Sequence, residues 1–204
     1  MEPFNIVSGL IAPMLAANID TDVIMPKQFL KGIDRQGLDK GVFYDLRFHT
    51  DGQPNDTFVL NRPGWKNATF MLVGPNFGCG SSREHAVWGL KQMGIRALIG
   101  SSFAGIFNDN CQRNGLLTIE LDESSLRQLE DIATDAQRNR LTIDLEKRLI
   151  VTESGEISFS IDALKRKMLL EGLDAVAYTL QFQQDIRDFE TRHFSTSPWL
   201  GEAQ

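Results

Sequence analysis

Residues Gly78-Cys79-Gly80-Ser81-Ser82-Arg83-Glu84-His85 crowd two flexible glycines, two hydroxyls and a guanidinium into one short stretch. Glycines permit positive φ and close approach of backbone to a ligand. A guanidinium grips a carboxylate through two parallel hydrogen bonds. The apolar run before this stretch, 69–73, reads as a buried strand, and residues 83–93 after it read as a helix. A turn at a strand end that opens a helix favours anions through its free N–H groups and dipole. The chemistry expected here is carboxylate binding, with a serine placed to act as a base. A plainer reading stands beside it: Ser81 as N-cap and Glu84 three residues on fit a capping box. The stretch lacks a P-loop lysine, and Arg83 stands where a third dinucleotide-binding glycine is needed, so nucleotide readings fall.

Asn18-Ile19-Asp20-Thr21-Asp22 reads either as an ordinary aspartate-rich turn or as a loop that brings a carboxylate beside Arg83 or Ser81. Cys111 lies on the apolar face of a helix and reads as core. Cys79 has no second cysteine at metal-ligand spacing, so no metal or iron–sulfur site is expected from this chain alone. His49 and His193 carry no signal, and His85 reads as an orienting residue.

The elements that position these residues form one mixed α/β domain over 1–204. Strands at 69–73, 97–99 and 116–119 alternate with helices at 83–93 and 103–113. Phe4 to Leu15 reads as a strand pair or strand-turn-strand. Residues 32–63 are rich in Gly, Asp, Asn and Pro and read as long loops with short helical pieces, covering a site or a partner surface. An amphipathic helix over 122–138, a small antiparallel sheet from 141–143, 149–151 and 157–159, and closing helices at 162–171 and 173–190 complete the order. The 204 residues are 42% hydrophobic and 24% charged, enough for a substantial core. A net charge of −6 argues against nucleic-acid binding. No apolar run reaches the roughly 18 residues of a membrane span. The first residues do not form a signal peptide, so a cytoplasmic protein is expected.

Four motifs together resemble the swivel domain of the aconitase superfamily: Asn18–Asp22, Phe77–Ala86, Ser102-Phe103-Ala104-Gly105-Ile106-Phe107 and Asn114-Gly115-Leu116-Leu117. Within it the chain is similar to the small subunits of 3-isopropylmalate dehydratases. Pro26–Leu30, Phe58–Asn61 and Gly172-Leu173-Asp174 also match. The resemblance implies a three-layer β/β/α swivelling domain. It implies a hydro-lyase that isomerises 2-isopropylmalate and 3-isopropylmalate by dehydration and rehydration in leucine biosynthesis. By the same resemblance Ser81 is the base, Ser82 and Arg83 bind substrate, and Asp22 is an active-site carboxylate. No cofactor is expected on this chain; a [4Fe–4S] cluster is expected on a large partner subunit, in a heterodimer or larger assembly active only when joined. Aconitases carry an arginine in the loop after the aspartate motif. Here that loop reads Phe29-Leu30-Lys31-Gly32-Ile33, which suits an isopropyl group and adds Phe29, Leu30 and Lys31 to the substrate-binding set. Two alternatives stay open: a sister hydro-lyase acting on citraconate/methylmalate, dimethylmalate or homoaconitate, and a non-catalytic anion-binding module.

Overall fold

A computed structural model describes residues 1–30 and 35–201. Seven strands run in the order β4-β3-β2-β1-β5-β6-β7. They are β1 (Ile6–Met14), β2 (Phe70–Val73), β3 (Ala97–Gly100), β4 (Leu117–Glu120), β5 (Arg140–Asp144), β6 (Leu149–Thr152) and β7 (Gly155–Ser158). β1 to β4 are parallel to one another, and β1, β5, β6 and β7 are antiparallel. β1 is one nine-residue strand, not the expected strand pair. Its first half, Ile6–Leu10, pairs with β5, and its second half, Ile11–Met14, pairs with β2. Both halves find ladder partners without a turn, so the chain hands over from an antiparallel to a parallel sheet in mid-strand.

The parallel strands are apolar on both faces because both are covered. Phe70, Leu72, Ala97 and Ile99 point into one core with Leu141, Ile143 and Ile150 of the antiparallel sheet. Met71, Val73 and Leu98 point the other way. There they meet α3 (Glu84–Gln92) and α4 (Gly105–Asn114) through Val87, Leu90, Phe107 and Cys111. The period of two along each strand sorts these side chains into two cores, and the layers follow as β/β/α. Each buried Phe or Leu contributes about 1.5–3 kcal/mol.

The remaining helices are short or peripheral. They are α1 (Thr21–Ile24), α2 (Tyr44–Arg47), α5 (Glu123–Ala133), α6 (Ala163–Glu171), α7 (Ala175–Leu180) and α8 (Gln183–Thr196). The described part of the 32–63 stretch, 35–63, is made of turns and loops with short helical pieces, α2 among them, as its composition predicts. Asn61 Nδ2 donates to the carbonyls of Arg47 and Asn55 and pins it, while Val42 and Phe43 are buried in the second core. α6 is tied to the N-terminus, where Phe4 N–H donates to Leu169 O at 2.9 Å. The helix expected over 173–190 is instead two, α7 and α8. At the break, Gln181 and Phe182 donate to carbonyls three residues back, and the Phe182 ring turns edge-on to Tyr178. Among the described residues no helix is long and apolar enough to cross a membrane.

Candidate active site

Three loops leave the C-terminal ends of β1, β2 and β3 side by side, at the edge where open parallel sheets place ligands. The β1 loop and the β2 loop zip together through backbone bonds. Asn18 N–H donates to Pro75 O, Gly78 N–H to Ile19 O and Thr21 N–H to Cys79 O, each at 2.8 Å. The β3 loop lies on the other side, where Ala104 N–H donates to Phe77 O at 3.0 Å. Gly78 has φ +78°, and a Cβ there would collide with the Phe107 ring. Only glycine satisfies both demands. Phe107 also meets Phe77 edge-on, with centroids 5.6 Å apart. The Ser102–Phe107 motif thus forms the floor under the glycine turn.

Beyond Gly80, with φ +91°, the chain turns outward and leaves Ser81 and Ser82 exposed. The capping box does not form. The N-cap of α3 is Arg83, which makes no side-chain cap bond. Ser81 is held elsewhere: its N–H donates to Thr21 Oγ1 at 3.1 Å, and Thr21 Oγ1 donates to Ser81 O at 2.9 Å. Glu84 is occupied as well, accepting from Asn114 Nδ2 at 2.6 Å, while Trp88 Nε1 donates to Asn114 Oδ1 at 2.9 Å. Glu84 therefore braces α3 against α4 instead of folding back on its own helix.

Asp22 reaches the same place from the neighbouring loop. Asp20 caps α1 by accepting from Val23 N–H at 2.8 Å, and the next turn presents the Asp22 carboxylate to Arg83 Nη1 in an ion pair. The Arg83 side chain is 14% exposed and that of Asp22 47%. Nη1 also donates to Met25 O at 3.4 Å. The loop thus brings a carboxylate beside the arginine, the second of the two readings of Asn18–Asp22. Phe29 and Leu30 are half-buried in a short 3₁₀ turn, Lys27–Leu30. Phe29 packs against Tyr44 with centroids 5.0 Å apart. Lys31, and Ile33 with it, lie outside the described residues. His85 lies against Trp88, centroids 4.8 Å apart.

This geometry can orient a diacid: two exposed hydroxyls, a mostly buried guanidinium and a partnering carboxylate lie together at one strand-end edge. It cannot ligate an iron–sulfur cluster. Cys111 is fully buried, and burial pushes its thiol well above the ordinary range. Cys79 Sγ donates to Asn18 O at 3.4 Å within the loop zipper. Among the described residues no group of three His, Cys, Asp or Glu is arranged to hold a metal. Thr21 is a site residue that the sequence does not single out. A β-branched hydroxyl inside an aspartate loop is its only signal there.

Residues 1–124 match the family model of the aconitase C-terminal domain. The chain is 64% identical over 200 residues to the 3-isopropylmalate dehydratase small subunit 2 of Salmonella typhimurium, covering 98% of this chain and 96% of that one. It is 48% identical over 201 residues to the 3-isopropylmalate dehydratase small subunit of Rhodospirillum rubrum, covering 98% and 97%. The crystal structure of a 3-isopropylmalate dehydratase from Methanocaldococcus jannaschii is similar with a TM-score of 0.66 and 29% identity, over 91% of this chain and 99% of that one. Near-complete coverage in sequence, joined to the serine-serine-arginine turn on a β/β/α scaffold, means that the chain belongs to the 3-isopropylmalate dehydratase small-subunit family of the aconitase superfamily.

Proposed function

We propose that this chain is the small subunit of a 3-isopropylmalate dehydratase, that it joins a large subunit, and that the pair interconverts 2-isopropylmalate and 3-isopropylmalate in leucine biosynthesis. Ser81 is the base and Asp22 orients Arg83. Arg83 and Ser82 hold a substrate carboxylate, and Phe29, Leu30 and Lys31 belong to the substrate-binding set, the apolar Phe29 and Leu30 suiting the isopropyl group. The observation that carries this reading is the exposed Ser81–Ser82 pair beside the Asp22–Arg83 ion pair at the ends of β1 and β2.

The reaction removes a weakly acidic C–H proton next to a carboxylate. Ser81 Oγ, as an alkoxide, takes that proton. The C–H electron pair moves toward the carboxylate, where Arg83 stabilises the growing charge. It then forms the alkene as the hydroxyl on the adjacent carbon leaves with its bonding electrons. That leaving group needs a Lewis acid, which a [4Fe–4S] cluster on the large subunit would supply. Arg83 uses Nη1 on Asp22, so its other donors are the ones that meet substrate.

An alkoxide at Ser81 needs more than a helix end. A helix N-terminus contributes about 0.3–1 kcal/mol, while each unit of pKa lowering needs about 1.4 kcal/mol. Arg83, backbone donors and exclusion of water must supply the rest. Ser81 and Ser82 are open to solvent in the isolated chain, so a partner has to close over them. Reconstitution tests this: the chain with its large subunit turns over both isopropylmalates, and the chain alone turns over neither. Activity of the chain alone refutes the reading, and a strong preference of the pair for a tricarboxylate assigns the chain to a sister hydro-lyase.

A further inference from the structure

Thr21 lies behind the proposed base. It is 1% exposed and sits in the first turn of α1, with its N–H bonded to Cys79 O at 2.8 Å and its C=O accepting from Met25 N–H at 3.0 Å. Its Oγ1 accepts from Ser81 N–H at 3.1 Å, donates to Ser81 O at 2.9 Å and lies 3.1 Å from Ser81 Oγ. One hydroxyl therefore touches three atoms of the same serine.

A hydroxyl has one hydrogen and two acceptor positions. While the Thr21 hydrogen is on the Ser81 carbonyl, Thr21 can only accept from Ser81 Oγ–H. Once Ser81 is an alkoxide, that arrangement sets lone pairs against each other. Rotation about Cβ–Oγ1 carries the same hydrogen to the alkoxide and creates a charge-assisted bond, the stronger kind. The heavy atom stays put, because the side chain is buried and its Oγ1 is held by the Ser81 N–H.

We infer that Thr21 is a positioning residue whose hydroxyl turns from the Ser81 carbonyl to the Ser81 alkoxide, fixing the base and holding it ionised. No bond to Thr21 forms or breaks. When Ser81 takes the substrate proton, its new O–H donates to Thr21 Oγ1 and the Thr21 hydrogen returns to the carbonyl. This inference rests on the reading of Ser81 as the base.

The test uses the assembled two-subunit enzyme. Thr21→Val keeps the shape and deletes the hydroxyl; Thr21→Ala is the second deletion, should the valine variant fail to assemble. Either lowers kcat about 10- to 100-fold, the loss of one charge-assisted hydrogen bond. KM stays within about threefold, because Thr21 acts on the ionisation of Ser81 and touches no substrate atom. Thr21→Ser restores kcat to within about threefold of the parent. In a Ser81→Ala background, removing the Thr21 hydroxyl costs nothing further, whereas a merely structural role would lower the residual rate again. Parent-like kcat in the deletion variants, failure of Thr21→Ser to rescue, or a further loss in the Ser81→Ala background overturns the role of Thr21. The two readings fail separately. An active Ser81→Ala enzyme removes the base itself, while an inactive one with a normal Thr21→Val partner removes Thr21 alone.

Discussion

Asp22 and Arg83, 61 positions apart, form an ion pair across two strand-end loops that the backbone zips together. The pair is half-open to solvent on the Asp22 side, and such pairs contribute about 0–1 kcal/mol to stability. In the proposed function its value lies in aiming the guanidinium. Arg83→Lys keeps the charge but loses the planar fork, so KM for isopropylmalate rises about tenfold or more while the unfolding midpoint barely moves. Steady-state kinetics of the assembled enzyme checks this, and an unchanged KM contradicts it. Asp22→Asn lowers kcat/KM by about tenfold on the same grounds.

Gly78 links the site to the fold. Its φ of +78° and the Phe107 ring packed against its Cα leave no room for a side chain. Gly78→Ala therefore destabilises the chain by about 2–4 kcal/mol, overpacking added to backbone strain. Urea unfolding of the isolated chain reads the loss as a lower midpoint; an unchanged midpoint means that the turn relaxes freely.

The two cysteines differ in accessibility. Cys79 is half-exposed in the site loop, and Cys111 is fully buried with its thiol pushed well above the ordinary range. Since the thiolate is the reactive form, an aromatic disulfide reagent labels Cys79 in the native chain at mildly alkaline pH and reaches Cys111 only on unfolding. Rapid labelling of both thiols in the native chain contradicts this packing.

Asp122 offers a pH test away from the site. It caps α5, and hydrogen bonds from the Ser124 hydroxyl and from the Ser125 N–H and hydroxyl hold its carboxyl well below the usual carboxylate range. A depressed folded pKa stabilises above the unfolded value, near 3.9, and that stability is lost as pH falls toward the folded value. Asp122→Ala therefore lowers the thermal midpoint at neutral pH, and the gap from the parent narrows below about pH 4. A gap independent of pH contradicts the assignment of the cap.

Much of this was legible in the sequence because it is written in local pattern. The strand patterns at 69–73, 97–99 and 116–119 and the glycine stop at Gly115 mark the parallel half directly. Clustering of Ser81, Ser82 and Arg83 marks the site, whereas the aspartate loop's approach to Arg83 is one of two readings open in the sequence and depends on the pairing of β1 with β2. What was not legible depends on distant partners. Ser81 satisfies the local rule for an N-cap, but Thr21 captures its backbone, and Asn114 takes the Glu84 carboxylate that a capping box needs. β1 runs unbroken through Gly9 and Pro13 because β5 and β2 take its two halves in turn. The break between α7 and α8 falls at Gln181 and Phe182, whose N–H groups bond to carbonyls three residues back.

The most direct measurement is turnover of the assembled enzyme carrying Ser81→Ala. With Ser81 as the base, the complex forms as the parent does, binds isopropylmalate with similar affinity and loses nearly all dehydration in both directions. A Ser81→Ala complex that turns over at a near-parental rate contradicts this, because some other group then removes the proton.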